Sequence, residues 1–270
     1  MIVSFSGGRT SAYMAWKLKE LGHDIKCVFM NTGAEHENTL DFIHECDQRW
    51  GLNLVWLEVV VQHGERVGSN YKVVSYETAA RKGEPFKEIC KKYGIPNSSY
   101  PHCNRELKLA PYIKWKADNY PEENTAIGIR LDEIDRMSAY AKRDKLTYPL
   151  VGLIPTTKAE VLHWWSKQNF NLDLPEHYGN CVTCWKKSDR KLKTVALEQP
   201  DRFDLFKELE RDFSDSGQEN NSGKFFRKHR TSADIIASSR DSFEIFRDRL
   251  FKQESDAPMG CGETCDLFSS

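Results

Sequence analysis

Short, apolar, β-branched runs alternate with helical segments through the first half of the chain. The pattern predicts strands at 2–5, 25–30, 54–61 and 125–130, with helices at 12–21 and 39–50, each of which is followed by glycine. Strands that are apolar along their length and are separated by helices favour a parallel sheet that is covered on both faces. We therefore predict a doubly wound, Rossmann-like α/β fold with its ligand beyond the carboxyl ends of the strands.

The rest of the chain is predicted to be mostly helical. Further helices are expected at 85–93, 106–117, 158–167, 186–197 and 242–252, and the polar stretch 62–83 is interpreted as a long connection or lid. We expect three regions, namely a nucleotide-binding α/β domain over 1–185, a helical extension over 186–255 and a mobile, cysteine-containing tail over 256–270.

Composition narrows the class of protein. Charged residues make up 29% of the 270 residues and the net charge is −1, so the overall charge neither demands nor excludes a nucleic-acid partner. Neither a signal peptide nor an apolar run of 18 residues is evident, so we expect a cytoplasmic protein with reduced cysteines. Cys27, Cys46 and Cys90 lie in apolar-periodic segments and are predicted to be packing residues.

A glycine-rich loop joins the first predicted strand to the first predicted helix. Glycines let the backbone approach an anion, the N–H groups at a helix start face it, and hydroxyl groups add donors. An ordinary glycine turn is the alternative, but the flanking serines and the position after the first strand favour a phosphate-binding loop. The predicted nucleotide-binding residues of this loop are Ser6, Gly7, Gly8, Arg9, Thr10 and Ser11.

This loop resembles the Ser-Gly-Gly-x-Asp-Ser motif of the adenine-nucleotide α-hydrolase (PP-loop) superfamily, which includes ATP pyrophosphatases and phosphoadenosine phosphosulfate reductases. Thr10 stands where an aspartate is usual. Over roughly residues 1 to 190, further segments are similar to the reductase family and follow its order. They are Asn31-Thr32-Gly33-Ala34-Glu35, His102-Cys103-Asn104-Arg105-Glu106-Leu107-Lys108, Gly128-Ile129-Arg130-Leu131-Asp132-Glu133 with Arg136, and Tyr148-Pro149-Leu150 leading to Gly179-Asn180-Cys181-Val182-Thr183-Cys184.

The resemblance implies functional roles for residues outside the loop. Cationic side chains suit the recognition of phosphate or sulfate, because Arg offers a planar fork and Lys a point charge. Catalytic roles are expected for Arg9, Lys108 and Arg130. Nucleotide-binding roles are expected for Asn31, Thr32, Gly33, Glu35, Gly128, Arg130 and Arg136.

Three cysteines have a pattern that allows metal binding. Cys181 and Cys184 form a Cys-x-x-Cys pair, and together with Cys103 they could share one zinc ion or one iron–sulfur cluster. The resemblance implies a four-iron cluster, which some reductases hold with a Cys-Cys pair and a Cys-x-x-Cys pair. His102 replaces one of those cysteines here, so the fourth ligand is His102, a tail cysteine such as Cys261, or none. Zinc and uncoordinated, redox-active thiols are the alternatives to the cluster.

The tail contains Cys261 and Cys265, for which metal ligation, a swinging nucleophile and an exposed pair without a role are all open. The segment Glu263-Thr264-Cys265-Asp266-Leu267 loosely resembles the C-terminal Glu-Cys-Gly-Leu of thioredoxin-dependent reductases, which implies that Cys265 is catalytic. The neighbouring carboxylates oppose the low pKa that a nucleophilic thiol needs, unless cations at the substrate site offset them.

Two reactions fit these features. The favoured one is Mg²⁺-assisted cleavage of ATP between the α and β phosphates, which adenylates a substrate oxygen before cluster-assisted sulfur transfer. The alternative is reduction of phosphoadenosine phosphosulfate or adenosine phosphosulfate to sulfite, with Cys265 or Cys261 as the nucleophile and a thioredoxin-like reductant. A non-enzymatic nucleotide or redox sensor is a third hypothesis.

The partners are less constrained than the reaction. Cations mixed with aromatics at 186–193 and 224–230 allow a nucleic-acid substrate, although solvated helix faces explain the same pattern. No membrane partner is expected, and a homodimer is one of the oligomeric states that the sequence leaves open.

Overall fold

The computed structural model describes residues 1–64, 67–217, 222–226, 229–248 and 267–268. Its centre is a six-stranded sheet in the order β4-β3-β2-β1-β5-β6. All neighbouring strands are parallel except β3 and β4, which are antiparallel. The strands are β1 (Ile2–Ser4), β2 (Lys26–Met30), β3 (Val55–Val60), β4 (Asn70–Val74), β5 (Thr125–Ala126) and β6 (Leu146–Thr147). The predicted α/β fold is confirmed.

The strand order reverses beside β1. From β1 the chain first builds outward through β2, β3 and β4, and it later returns to the other side of β1 to add β5 and β6. The connections of the two halves leave the sheet in opposite directions there, which opens a crevice at the carboxyl ends of the strands. Because β1 ends at Ser4, the loop 6–11 lies at this crevice.

Ten α-helices occur in the described ranges. They are α1 (Arg9–Glu20), α2 (Glu37–Trp50), α3 (Glu84–Tyr93), α4 (His102–Asn104), α5 (Ala110–Asn119), α6 (Pro149–Gly152), α7 (Lys158–Trp165), α8 (Asp189–Glu198), α9 (Asp204–Phe213) and α10 (Ser232–Ser238). A π-helical turn, Arg105–Leu109, joins α4 to α5, and 3₁₀ turns lie at Leu131–Arg136, Glu176–Tyr178 and Pro200–Phe203. None of these helices is long and apolar enough to cross a bilayer.

The core is rich in aromatic side chains that fix α7 against the sheet helices. Trp164 packs edge-on against Tyr13 of α1, and Trp165 contacts Phe42 and Trp50 of α2. Such contacts add to the free energy gained by burying large apolar surfaces. As a result, α7 is held close to the start of α1.

The three cysteines that were predicted to pack are indeed in the core. Cys27, Cys46 and Cys90 have no exposed surface. Burial raises the pKa of Cys27 to about 12 and raises the pKa values of Cys46 and Cys90 as well, so these side chains behave as small hydrophobic groups.

The segment 62–83 was interpreted as a connection, but it contains β4, so that interpretation was incomplete. This antiparallel edge strand pairs with β3 on one side only, and its side chains are half-buried or exposed. An edge strand of this kind lacks the apolar run that marks a buried strand. The short strand β6 was also missed, and β5 covers only the first two residues of the predicted strand 125–130.

The helix predicted over 242–252 is wrong for its described part, because residues 241–248 have no helical structure. Phe246 is buried against the His177 ring, and its backbone N–H donates to Thr194 Oγ1 at 2.9 Å. Packing on α8 therefore outweighs the local helical pattern. Residues 249–252 lie outside the described ranges.

Candidate active site

The loop Ser6–Ser11, here called the phosphate loop, is fixed by its own serines. Ser11 Oγ accepts a hydrogen bond from Ser6 N at 3.1 Å, lies 3.1 Å from Ser6 Oγ, and donates to Gly8 O at 3.0 Å. Gly7 has a φ of +83°, and a Cβ there would lie only 2.7 Å from Thr39 Cγ2. Glycine is therefore required at position 7 both by the backbone conformation and by the contact with α2.

Helix α1 begins directly after Gly8 and has no side-chain cap. The first N–H groups of an α-helix lack partners within the helix, and its dipole places partial positive charge at this end. No acidic residue occupies the first turn of α1. This helix start therefore favours an anion, as the phosphate-loop prediction requires.

A cavity of about 220 Å³ opens in front of the phosphate loop, and we call it the phosphate-loop cavity. Besides loop residues 6–10 it is lined by Thr39, Lys158, Glu176 and Asn180, among others. Lys158 of α7 forms an ion pair with Glu176 at 3.3 Å. The sequence analysis assigned no role to Lys158 or Glu176, which belong to no motif, or to Asn180, which lies in the Cys-x-x-Cys stretch but meets the loop only through the fold.

Arg9 lies at the wall of this cavity. Its Nε donates to Asn171 Oδ1 at 2.8 Å, and its guanidinium also donates to Leu172 O. Its backbone oxygen accepts a hydrogen bond from Trp165 Nε1 at 2.9 Å. Arg9 thus joins the phosphate loop to α7 and to the segment that follows it.

Arg130 supports the phosphate loop through a hydrogen bond to Thr10. It donates to Thr10 Oγ1 at 2.8 Å and pairs with Asp132 and Glu133, each at 3.1 Å. Burial alone would raise the pKa of Asp132, but the hydrogen bond and charge of Arg130 hold that pKa below its usual value. Threonine at position 10 cannot form an ion pair, so Arg130 takes its carboxylate partners from the turn that follows it.

Two further predicted residues lie close to this support. Gly128 packs near the start of α1, where a Cβ would lie 3.6 Å from Ser11 Cα. Arg136 forms an ion pair with Glu133, so it belongs to the same charge cluster as Arg130. The structure thus brings Gly128, Arg130 and Arg136 together beside the phosphate loop.

The segment after β2 makes its own hydrogen-bond network. Asn31 is fully buried, and its Nδ2 donates to Glu58 Oε1 at 2.6 Å and to Ala80 O at 2.9 Å. Glu35 accepts from Thr32 N at 3.1 Å and from Thr32 Oγ1 at 2.8 Å. These side chains are directed at the protein itself, and they hold the segment 31–35, including Gly33, at the end of the sheet.

The same segment also holds the Cys-x-x-Cys loop. Glu35 and Cys181 form an isolated antiparallel bridge, and Val182 N donates to Ala34 O at 3.0 Å. The sulfur of Cys181 lies 3.5 Å from Thr32 Oγ1. The end of β2 and the cysteine loop are therefore joined through backbone and side chain.

The fold places Cys103, Cys181 and Cys184 around one cavity, here called the thiol cavity. Lys108 reaches the same cavity from the π-helical turn, and Asn180 belongs to both this cavity and the phosphate-loop cavity. π-Helical turns often occur at functional sites because they change which side chains point inward. The phosphate loop and the three cysteines are thus neighbours in the fold.

The charges around the thiol cavity act in opposite directions. Burial raises the pKa of Cys181 and nearby Glu35 raises it further, while Lys108 lowers it. Burial lowers the pKa of Lys187 to about 7, against the opposing influence of Cys184 and Cys181. Lys187 Nζ donates to His177 O at 2.6 Å and to Val182 O at 2.7 Å, which ties the Cys-x-x-Cys loop to the turn that precedes it.

The thiol cavity presents three cysteines, a donor set that an iron–sulfur cluster could use. No group of three or more His, Cys, Asp or Glu side chains converges on one point in the described ranges, as one tetrahedral zinc would require. A cluster offers separate irons to separate thiolates, so three cysteines spaced around a cavity suit it. His102 lines a different cavity from Cys103, and Cys261 and Cys265 lie outside the described residues.

The two stretches that allowed a nucleic-acid surface are largely internal. Phe225 and Phe226 are fully buried, and Phe225 stacks on Phe206 with ring centroids 4.1 Å apart. Arg230 pairs with Asp189 at 2.7 Å, and Lys191 pairs with Glu176. Phe225 and Phe226 thus serve the core, and Arg230 and Lys191 take part in ion pairs; residues 227–228 are not among those described.

Comparison with known proteins agrees with this geometry. The phosphoadenosine phosphosulfate reductase domain matches residues 1–146. The chain is 33% identical to the uncharacterized nin region protein ORF290 of Escherichia phage lambda, over 99% of this chain and 94% of that protein. It is 29% identical to an uncharacterized protein of Methanocaldococcus jannaschii over 61% of this chain, but this match spans only 30% of that protein.

A more distant similarity points in the same direction. The tRNA-specific 2-thiouridylase MnmA of Paraburkholderia phymatum is 28% identical over 50% of this chain and 33% of its own length. The domain match covers more than half of the chain, and the phage relative is similar over nearly all of it. The chain therefore belongs to the phosphoadenosine phosphosulfate reductase domain family, within the PP-loop superfamily of adenine-nucleotide enzymes.

Proposed function

We propose that the protein binds ATP at the phosphate loop, cleaves it to AMP and pyrophosphate, and uses the adenylated substrate for sulfur transfer at the thiol cavity. One observation carries this proposal, namely that the phosphate-loop cavity and the thiol cavity share Asn180. A nucleotide in one cavity and a sulfur-bearing group in the other would lie side by side. An enzyme that activates an oxygen and then replaces it with sulfur needs that arrangement.

The activation step uses the phosphate loop. A substrate oxygen attacks the α phosphorus, the bond from that phosphorus to the bridging α–β oxygen breaks, and pyrophosphate leaves with the bonding electrons. The N–H groups at the start of α1 would face the departing pyrophosphate, and Lys158 and Arg9 would add positive charge at the wall of the cavity. Mg²⁺ would neutralise part of the charge on the leaving group.

The transfer step replaces the activated oxygen. Sulfur attacks the substrate carbon that bears the adenylated oxygen, the bond between that carbon and that oxygen breaks, and AMP leaves with the oxygen. Cys103, Cys181 and Cys184 would hold an iron–sulfur cluster, which when bound supplies a site for sulfide. Lys108 would keep positive charge at the thiol cavity, where anionic sulfur must be held.

Product analysis tests this proposal. Protein purified without oxygen is incubated with Mg²⁺ and [α-³²P]ATP, and AMP and pyrophosphate are quantified alongside iron and sulfide. We expect AMP and pyrophosphate in equal amounts, with water attacking the α phosphorus in place of the acceptor. We also expect a Cys181→Ser/Cys184→Ser double variant to lose iron and sulfide but to keep ATP binding. Release of ADP and phosphate, or iron content unchanged in the double variant, would contradict the proposal.

Reduction of phosphoadenosine phosphosulfate or adenosine phosphosulfate to sulfite is the second candidate, and the domain match over residues 1–146 favours it. A tail thiolate, Cys265 or Cys261, would attack sulfur to form a thiosulfonate and release the nucleotide. A thioredoxin-like dithiol would then release sulfite by reducing that bond. Sulfite formation that disappears in a Cys261→Ser/Cys265→Ser variant would establish this reaction instead, and ATP binding without any turnover would favour a nucleotide sensor.

A further inference from the structure

A third cavity, of about 760 Å³, lies on the other side of the thiol cavity. We call it the aromatic cavity and define it by Tyr93, Tyr100, His102, Arg105, Tyr140 and Lys186. It shares Asn104 and Lys186 with the thiol cavity. The three cavities therefore follow one another, with Asn180 between the first two and Asn104 and Lys186 between the second and third.

The lining of the aromatic cavity combines flat rings with cations. Tyr140 lines it and is 61% exposed, while Arg143, which is outside the lining, lies 4.4 Å from its ring centroid. Lys92 lies 5.0 Å from the ring centroid of Tyr93, but its Nζ donates to Gln62 O at 2.6 Å and to Val67 O at 2.8 Å. Arg105 and Lys186 are therefore the cations that the site would use. The side chain of Arg105 is 64% exposed. Rings that can stack on bases, together with cations that can follow a phosphate backbone, are the two features of single-strand binding sites.

His102 adds a hydrogen-bonding group that the protein leaves unused. Its Nδ1 lies 3.2 Å from Tyr100 O, a carbonyl that can only accept, so Nδ1 carries the proton of that bond. Its Nε2 is buried and has no hydrogen-bond partner among the described residues. A buried polar atom without a partner is costly, and a ligand that displaces neighbouring side chains to reach it would remove that cost.

We propose that the aromatic cavity is the acceptor site and that it takes a single-stranded nucleic-acid segment, with one base held near His102 and its sugar–phosphate strand along Arg105 and Lys186. The role of this site as the acceptor site rests on the proposed sulfur transfer, in which the base would pass Asn104 to reach the thiol cavity. The binding itself depends only on the rings and cations of the cavity. Asp144 also lines the cavity, but it is paired with Arg143 at 2.7 Å.

Binding of a fluorescein-labelled, ten-nucleotide single-stranded RNA, followed by anisotropy at several salt concentrations, tests the proposal. We expect Arg105→Gln to weaken binding at least threefold and to reduce the salt slope by about one. Loss of a stacking ring in Tyr140→Ala should weaken binding by about fivefold or more. Arg211→Gln is the matched control, and its affinity for the RNA should equal that of the parent. The side chain of Arg211 is 72% exposed, and like Arg105 it pairs with the acidic residue next to it in the sequence.

Photo-crosslinking independently shows where on the protein the RNA binds. The same RNA carrying one 4-thiouridine should crosslink to peptides that contain Tyr93, Tyr100 or Tyr140. The proposal is overturned if the RNA does not bind, if Arg105→Gln and Arg211→Gln behave alike, if a duplex binds as well as the single strand, or if the crosslinks map elsewhere. ATP binding by the unmodified protein is measured separately, so failure of the acceptor site and failure of the proposed nucleotide chemistry are distinguishable.

Discussion

Replacement of Gly7 by alanine tests whether the phosphate loop is held against α2. Two effects add at this position. The φ of +83° is left-handed, which costs an alanine about 1–2 kcal/mol. The added Cβ would also lie 2.7 Å from Thr39 Cγ2 and 2.9 Å from Ile43 Cδ1, and crowding of this kind costs about 1–3 kcal/mol. We expect Gly7→Ala to lower the free energy of unfolding by about 2–5 kcal/mol.

Gly22 offers a matched control. Its φ is +80°, but a Cβ there would have no atom within 4 Å, so Gly22→Ala carries only the conformational cost of about 1–2 kcal/mol. Urea unfolding followed by tryptophan fluorescence measures both variants against the parent, with equal m-values as the condition for comparison. Equal losses in the two variants would refute the close contact between the phosphate loop and α2.

Three further predictions concern the support of the site. Arg130→Gln should lower the free energy of unfolding by about 3–5 kcal/mol in urea, because Asp132 loses its cation and Glu133 keeps only Arg136; a loss below about 1 kcal/mol would contradict the buried cluster. Thr157→Ala removes the capping box of α7 and should cost about 1 kcal/mol, and an unchanged urea midpoint would show that the cap is unimportant. Burial raises the pKa of Glu210 above 4.5, so the parent loses stability as pH rises from about 4.5 through that raised pKa. Glu210→Gln keeps an acceptor for Ser232 N but has no charge, so it should be more stable than the parent at pH 7 but not at pH 4. An equal difference in the free energy of unfolding at the two pH values would contradict a buried carboxyl.

The sheet, the phosphate loop and the first helices were predictable because they depend on local pattern. An apolar run followed by Ser-Gly-Gly and a helix start indicates a strand, a tight turn and an anion site without knowledge of the rest of the fold. The packing role of Cys27, Cys46 and Cys90 followed from the same periodicity. These features need only a few adjacent residues to be recognised.

The missed features depend on tertiary contacts. The half-exposed side chains of β4 alternate too weakly to identify an edge strand, and residues 241–248 are held in a non-helical form by packing of Phe246 on α8. Phe225 and Phe226 lie in a stretch whose composition allowed a nucleic-acid surface, but both rings are buried against Phe206. Cations mixed with aromatics occur both where the edge of the core meets the surface and at binding surfaces. The sequence alone therefore does not distinguish the two.

The structure also adds side chains to the candidate nucleotide site. Lys158 enters the phosphate-loop cavity from α7, which carries no recognisable motif and packs on α1 through Trp164, and Asn180 enters it from the Cys-x-x-Cys stretch. Arg9, expected as a counter-charge, is also a structural link to Asn171. Roles of this kind follow from distances that only the folded chain defines.

The affinity of Gly8→Leu for ATP tests the central claim most directly. Gly8 has an extended backbone with a φ of −96°, which any residue adopts, so the backbone conformation itself does not require glycine there, whereas a phosphate held close to the backbone does. Gly152→Leu is the control, because a Cβ at Gly152 meets nothing within 4 Å. By isothermal titration with Mg²⁺-ATP, we expect Gly8→Leu to lose at least tenfold in affinity while Gly152→Leu and the parent bind equally. Unchanged ATP binding by a folded Gly8→Leu variant would contradict the assignment of the phosphate loop.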